Sequence, residues 1–415
     1  MSYILFDDHT RHQLLPFTHT RAAADIRCGI FTLRERWEYL LRSKTDTLTE
    51  EYLQGVYTDN HLGNVLEHVM GMPTHIAHIY INGSIFATAE LVKAIGKLHE
   101  GEKLVQGDVL IAAYSDKQLS YGHIDSGELN AVAYTGEVQQ LKNTWDIFSL
   151  NGAAITADFV LLTHNRKSAP LPPHVTATGM ENIFVEEGAE LNAGCIINGK
   201  SGPVYIGRNA VLLEGALLRG PIALCEVAVV KMGAKIYGGT TLGPGCKVGG
   251  EVNNVVFFAN SNKAHDGYLG NAVIGEWCNL GADTNCSNLK NNYDQVKIWN
   301  EYTNKSVNTG LTFCGLFMGD HSKCAINTSF NTGTVVGVSC NIFGSGFPEK
   351  FIPSFCWGGS EGLSTYDINR ALETAGRVFA RRNHELSEAE KNILKHVFEH
   401  TAAQRAIFAH ASKQT

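Results

Sequence analysis

The stretch IGRNAVLLEGALLRGPIALCEVAVVKMGAKIYGGTTLGPGCKVGGEV, residues 206–252, carries a six-residue rhythm. Aliphatic side chains recur at Ile206, Leu212, Leu218, Leu224, Val230, Ile236, Leu242 and Val248. Four residues after each stands a second set: Ala210, Ala216, Ile222, Ala228, Ala234, Thr240, Cys246 and Val252. An α-helix repeats about every 3.6 residues and a strand about every 2, so neither has this period. A β-helix does, because each six-residue side of a coil stacks its inward positions on those of the coil below. The larger aliphatic fills the coil, and the small or β-branched residue lets the chain turn inside the stack. Glycine and asparagine, frequent here, suit corners where φ is unusual.

Working outward, the rhythm returns at Ile274 and Leu280, and again at Met318, Cys324, Phe330, Val336 and Ile342. Neither gap is a multiple of six, which predicts inserted loops over roughly 253–272 and roughly 286–316. Insertions in stacked repeats often supply the binding face. Beyond the coils, DINRALETAGRVFARR has helical spacing, and LSEAEKNILKHVFEHTAAQRAIFAHA opens with Ser387 and Glu390 placed as a capping box. This tail is expected to cover the open end of the coil, where bare strand edges would otherwise be exposed.

Upstream, the first third mixes elements. YILF at 3–6, HIYING at 78–83, VLIAAY at 109–114 and ADFVLLT at 157–163 read as strands, and FTLRERWEYLL at 31–41 as a helix. An α/β domain is implied. It ends in HNRKSAPLPPHVTATG (164–179), where Pro170, Pro172 and Pro173 favour an extended linker.

Of the 415 residues 44% are hydrophobic and 18% charged, enough to build a packed core over more than one domain. A net charge of -7 argues against a general binder of nucleic acid or anionic membranes, so an anionic ligand must be held by local groups. No pair among the ten cysteines has CxxC spacing, so buried, inert thiols are expected rather than a zinc knuckle, and no metal ligands are assigned. Asp7 and Asp8 follow the short N-terminal apolar run at once, unlike a signal peptide, and no apolar stretch approaches the ~20 residues of a membrane span. A soluble, cytoplasmic chain is the expectation.

The densest polar constellation is Lys263, His265, Asp266, Tyr268, Asn279, Asn288 and Lys290. An imidazole can take a proton from an attacking amine or hydroxyl, amides can hold such a nucleophile, and an ammonium suits a phosphate.

This segment resembles the acetyltransferase half of the bifunctional enzymes that make UDP-N-acetylglucosamine. Those enzymes join glucosamine-1-phosphate N-acetyltransferase and N-acetylglucosamine-1-phosphate uridyltransferase in one chain, the acetyltransferase being of the hexapeptide-repeat class. The family's order of motifs is met by Lys263, His265, Tyr268-Leu269-Gly270, Ile274-Gly275, Asn279-Leu280-Gly281-Ala282 and Ser287-Asn288-Leu289, and GLFMGDHSKCAINTSFNTGTVVG (315–337) continues it. The resemblance implies a left-handed parallel β-helix, a homotrimer, and acetyl-CoA lying along the coils at a subunit interface, with Ala282 beside it. By the same resemblance His265 is the general base, Tyr268 and Asn279 orient the sugar and its phosphate, and Asn288 positions the amine; Lys263 and Lys290 are the cations expected to stand in for the family's phosphate-binding lysine.

TRAAADIRCGIFTLRERWEYLL within 14–41 and TWDIFSLN (144–151) resemble parts of the family's nucleotidyltransferase half. Its glycine-rich loop is replaced by ILFDDHTRHQ, its lysine by Ala23, and Ser84 stands where a metal-site aspartate belongs. Arg21 and Asp25 remain, with a structural ion pair the expected role. Asn253 replaces a phosphate-binding lysine, and Asp283 a glycine. The expected layout is thus a degenerate nucleotidyltransferase-like α/β domain over 1–165, a linker over 166–180, the β-helix over 181–358 and a helical segment over 359–415. Magnesium enters only if the first domain is active. Three other readings compete: retained uridyltransferase activity, a non-catalytic ligand-binding trimer, and a coil zinc enzyme resembling the γ-type carbonic anhydrases, for which the coils offer only His265 and His321.

Overall fold

The computed structural model describes residues 2–57, 77–116, 119, 124 and 128–411. The N-terminal part is built on a six-stranded sheet of β1 (Ser2–Phe6), β2 (Asp46–Leu48), β3 (His78–Asn82), β4 (Glu102–Gln106), β5 (Val109–Ser115) and β6 (Asn130–Ala133), in the order β2-β1-β3-β5-β4-β6. The helix Leu33–Leu41 begins at a capping box in which Thr32 and Glu35 satisfy each other's backbone amides.

The apolar run ADFVLLT is not a strand. It is the C-terminal half of a helix, Asp146–Thr163, whose buried residues Ile147, Phe148, Asn151, Ala154, Ile155 and Asp158 follow helical spacing. A short apolar run reads alike in both elements, and here the preceding turn decides it. By length and hydropathy alone this 18-residue helix could cross a membrane. It lies instead between the N-terminal part and the coils, and its buried polar groups are matched by both. Asn151 accepts from Gly29 N–H at 2.7 Å and donates to Gly239 O at 2.8 Å and Thr241 Oγ1 at 3.0 Å. Asp158 holds Arg36 at 2.8 Å and takes the amide of Ile30. Burial raises its carboxyl pKa, and the guanidinium opposes that rise.

From Thr176 the chain winds into a parallel β-solenoid of about ten turns. The six-spaced aliphatics from Ile206 to Val248 all point inward, none more than 3% exposed. The register explains the period. Leu212 pairs with Val230 and Val230 with Val248, so three sides of six make one full coil. On one outer face Val256, Phe258, Val273, Phe317, Val335 and Phe351 are also buried, because Leu14, Phe17 and Phe148 of the N-terminal part, with Val296, Ile298 and Trp299 from later in the chain, cover them.

The first predicted insertion is not a loop. Val248 pairs with Lys263 and Phe257 with Ile274. The coil from Val248 to Lys263 is therefore half a side shorter than those below, the next nearly regains full length, and both stay in the stack. The second insertion is real: the chain after Cys286 leaves the coil and forms the antiparallel hairpin Lys297–Asn300/Lys305–Asn308 before Phe317–Met318 rejoins. Its tip contacts the N-terminal part through His19 Nε2–Glu301 Oε1 at 2.8 Å and the His12–Tyr302 stack.

The tail meets expectation in part. The last edge strand, Cys356–Gly359, is paired by Gly362–Thr365, against which the helix Ala402–Ala411 packs. The helices Ile368–Ala380 and Glu388–His400 lie along the flank of the coils, where Phe379 stacks on Trp277 at 4.0 Å and Phe398 meets Phe355. Ser387 and Glu390 form the expected capping box. Residues 412–415 of the tail lie outside the described residues. All ten cysteines are buried and unpaired.

Candidate functional site

One interior column of the solenoid runs Leu191, Leu212, Val230, Val248, Lys263, and after Leu280 continues to Cys324 and Ile342. A lysine occupies a position that is aliphatic or thiol elsewhere in the column. After Val248 the corner needs only Gly249 and Gly250 before Glu251; after Lys263 it needs Ala264, His265, Asp266 and Gly267 before Tyr268. The corner directly below, at 249–250, is therefore two residues short, whereas this one has the same four residues as the corners at 213–216 and 231–234. Gly267, at φ 110°, closes it against the backbone of Thr284, where no Cβ would fit.

This corner, over the shortened one, exposes His265 and Asp266. Both line a cleft of 580 Å³ with Lys231, Met232, Gly249, Gly250, Ala282 and Asp283. Lys231 and Met232 were not singled out from the sequence. Coil arithmetic would have found them, since they lie one full coil before Gly249 and Gly250 and so occupy the same corner.

Past the corner lies a second polar group. Asn288 Nδ2 donates to the Tyr268 hydroxyl at 3.1 Å and to Asn271 Oδ1 at 2.8 Å, while Asn253 also reaches the phenol. Burial raises the Tyr268 pKa, so the phenol is a neutral hydrogen-bonding group. Gly270 lies directly beneath: a Cβ there would press into the Tyr268 hydroxyl and come within 2.6 Å of Asn288 Nδ2. Asn288 and Tyr268, distant in the chain, are thus brought together, with the off-pattern Asn253 beside them.

The other expected residues do not join them. Asn279 is exposed on the preceding sheet, above Asn262, whose Oδ1 accepts from Arg382 at 2.9 Å. Lys290 donates to Gln295 O at 2.8 Å. Lys263 is 1% exposed, and its Nζ donates to His265 O at 2.9 Å and Asp266 O at 3.0 Å. This corrects the expectation that its ammonium meets a phosphate: the inward column position keeps it from the surface.

Arg21 and Asp25 are ion-paired, but not with each other. Asp25 holds Arg34, while Arg21 donates to Glu276 at 2.7 Å and to Asp320 on the solenoid. His321 sits behind Phe379 in a separate interdomain cavity and not with His265. Among the described residues, no cluster of three or more His, Cys, Asp or Glu could hold a metal ion.

In the N-terminal part, Asp8 follows β1 and caps the turn that comes next by accepting from Thr10 N–H at 2.9 Å. Its other oxygen accepts from Asn82 at 2.8 Å and Gln140 at 3.2 Å, and Gln140 also donates to Ser84 Oγ at 2.9 Å. Asp8, Asp108, Gln140 and Lys142 line a cleft of 430 Å³.

Residues 3–167 match the family model described as sugar nucleotidyl transferase. Across most of its length the chain is similar to a bifunctional sugar-1-phosphate nucleotidylyltransferase/acetyltransferase of Sulfurisphaera tokodaii, 24% identical over 76% of this chain and 69% of the relative. It is also similar to the bifunctional protein GlmU of Methanococcus maripaludis, 25% identical over 55% of this chain and 50% of the relative. The chain thus spans about two thirds of one relative's length and half of the other's. Among solved structures, the polySia-specific acetyltransferase NeuO aligns at 15% identity and a TM-score of 0.28, covering 49% of this chain and 97% of that one.

Proposed function

We propose that this chain is an acetyl-CoA-dependent N-acetyltransferase acting on an amino-sugar phosphate, glucosamine-1-phosphate first among the candidates, with His265 as general base. The observation that carries the reading is the shortened corner at Gly249 and Gly250, above which an exposed imidazole stands at a 580 Å³ cleft between Lys231 and Ala282. The neutral imidazole accepts the amine's proton as its nitrogen attacks the thioester carbonyl, and returns it to the departing thiolate of CoA. Lys231 is the cation in that cleft for the sugar phosphate, Ala282 leaves room for the pantetheine arm, and the Tyr268–Asn288 pair orients the sugar. The names of the bifunctional relatives support acyl transfer to a sugar phosphate or nucleotide sugar.

Asn279 and the Tyr268–Asn288 pair lie on different faces of one chain, so the same proposal includes a homotrimer in which neighbouring copies bring such faces together. Exposed Ile196, Leu217 and Met232 supply apolar contact for it. A cytoplasmic location also belongs to the proposal, and ten unpaired thiols fit a reducing compartment. The test is thiol release from acetyl-CoA across a panel of amino-sugar phosphates. His265→Ala is expected to bind acetyl-CoA yet lose ~100- to ~10,000-fold in turnover. Ligand binding with no thiol release from the unaltered protein would make it a binding trimer instead.

A second reading, retained sugar nucleotidyl transfer, is favoured by the family match over residues 3–167 and by the 430 Å³ cleft. That chemistry relies on magnesium to offset phosphate charge. The residues do not fit the ion: Ser84 is bonded into a neutral amide network, and Asp8 has both oxygens engaged in capping and amide contacts. Little or no UTP-dependent uridylyl transfer is therefore expected, and efficient turnover of UTP would reinstate this reading.

A further inference from the structure

Lys263 is the largest departure from the solenoid's interior rule. Its column neighbour below is Val248, its side chain is among the largest that are fully buried, and a buried ammonium is a costly substitute for an aliphatic. What it touches is specific. Its Nζ donates to the carbonyls of His265 and Asp266, which lie within the corner that is two residues wider than the one below. From the other side the corner is seated on Gly250, where an added Cβ would come within 3.0 Å of His265 O and of the Asp266 Cα. Lys263 and Gly250 thus grip the backbone of the corner, while the imidazole remains exposed outside it.

We propose that Lys263 is a positioning residue: from inside the coil it fixes the backbone of the corner above the shortened one so that the His265 imidazole is held over the cleft. The proposal deepens the acetyltransferase reading and rests on His265 being the base. Burial pushes the Lys263 pKa down to about 8, and the Asp266 and Asp283 carboxylates oppose that shift.

The test is Lys263→Met in the full chain, a side chain of similar length that suits an aliphatic column. The coil should form as before, by circular dichroism. Turnover should fall by about 100-fold while KM for acetyl-CoA stays the same, as expected for a displaced base. The His265 ring resonance, identified by its loss in His265→Ala, should change its chemical shift at fixed pH as the corner relaxes. That measurement needs no activity and separates two failures. If His265→Ala keeps normal turnover, the catalytic reading falls. If His265→Ala is inactive but Lys263→Met has full turnover and an unmoved His265 ring resonance, the positioning role falls alone. Lys263→Gln, whose amide can still donate to the carbonyls, should fold and show a smaller loss. Failure of both variants to fold would make Lys263 a core residue and overturn the proposal.

Discussion

Replacing Arg21 by methionine should uncouple the N-terminal part from the solenoid. The guanidinium is buried, 8% exposed, and bonded to Glu276 at 2.7 Å and to Asp320, with the Phe258 ring 5.1 Å away. Burial works against its charge, but Asp320 and Glu276 outweigh that and raise its pKa above the usual value. Without it, Asp320 stays buried at 4% exposure, its charge met only by Thr20 Oγ1 and the Glu276 amide, each at 2.7 Å. Removing one partner of a buried pair costs about 3–5 kcal/mol. Glu276, 31% exposed, can regain water, so the lower end, about 3 kcal/mol, is the expected loss. Because the chain is large, calorimetry together with limited proteolysis is the suitable assay, and an early transition of the N-terminal part is expected. Arg21→Met combined with Asp320→Asn, which removes the stranded charge, should recover most of the loss. A single variant within about 0.5 kcal/mol of the parent, or a double variant no better than the single, would refute the reasoning.

Gly270→Ala should drive Tyr268 and Asn288 apart and raise KM for the amino-sugar phosphate about 10-fold, close to one hydrogen bond's worth; an unchanged KM would remove that pair from the sugar site. His321, held at about 4 by burial, takes up its proton near 6.5 when unfolded, so its contribution is complete above pH 6.5 and is lost as pH falls towards 4. Urea unfolding at pH 7 and pH 4.5 should show up to about 3 kcal/mol of that loss, and His321→Asn, which tolerates the φ of 62°, should flatten it. Light scattering at micromolar concentration should give three times the chain mass, and a monomer would remove the inferred intersubunit site.

The coils were legible because the column Leu212–Val230–Val248 repeats one physical demand, an aliphatic inside every side. The Ser387–Glu390 box was legible because its partners lie within one helical turn. What six-fold counting missed is where the count changes. A shortened coil puts Lys263 under the same rule as Val248, so a residue read as a phosphate ligand is an interior one. Helix Asp146–Thr163 was half read as a strand because its burial depends on a surface made much later in the chain, at Gly239 and Thr241. The same distance hides the partners of Arg21, at Glu276 and Asp320. Of the site, the residue types and their order were readable. That Tyr268 bonds Asn288 while Asn279 stands on another face depends on which side of a corner each falls, and no local pattern records that.

The packing of that helix also has a history in time. Phe148 leaves the ribosome long before Phe317, the ring it ends up beside at 6.1 Å. At about 5–20 residues per second, the stretch between them takes roughly 8 to 34 s to make. For that time an 18-residue segment apolar enough to pass for a membrane span has an incomplete wall to lean on: Gly239 and Thr241 reach it first and Phe317 later. Newly made chains stalled before the middle coils should therefore be the ones that chaperones retain, and slowing translation between His164 and Phe317 should lower the yield of soluble protein more than slowing it anywhere after.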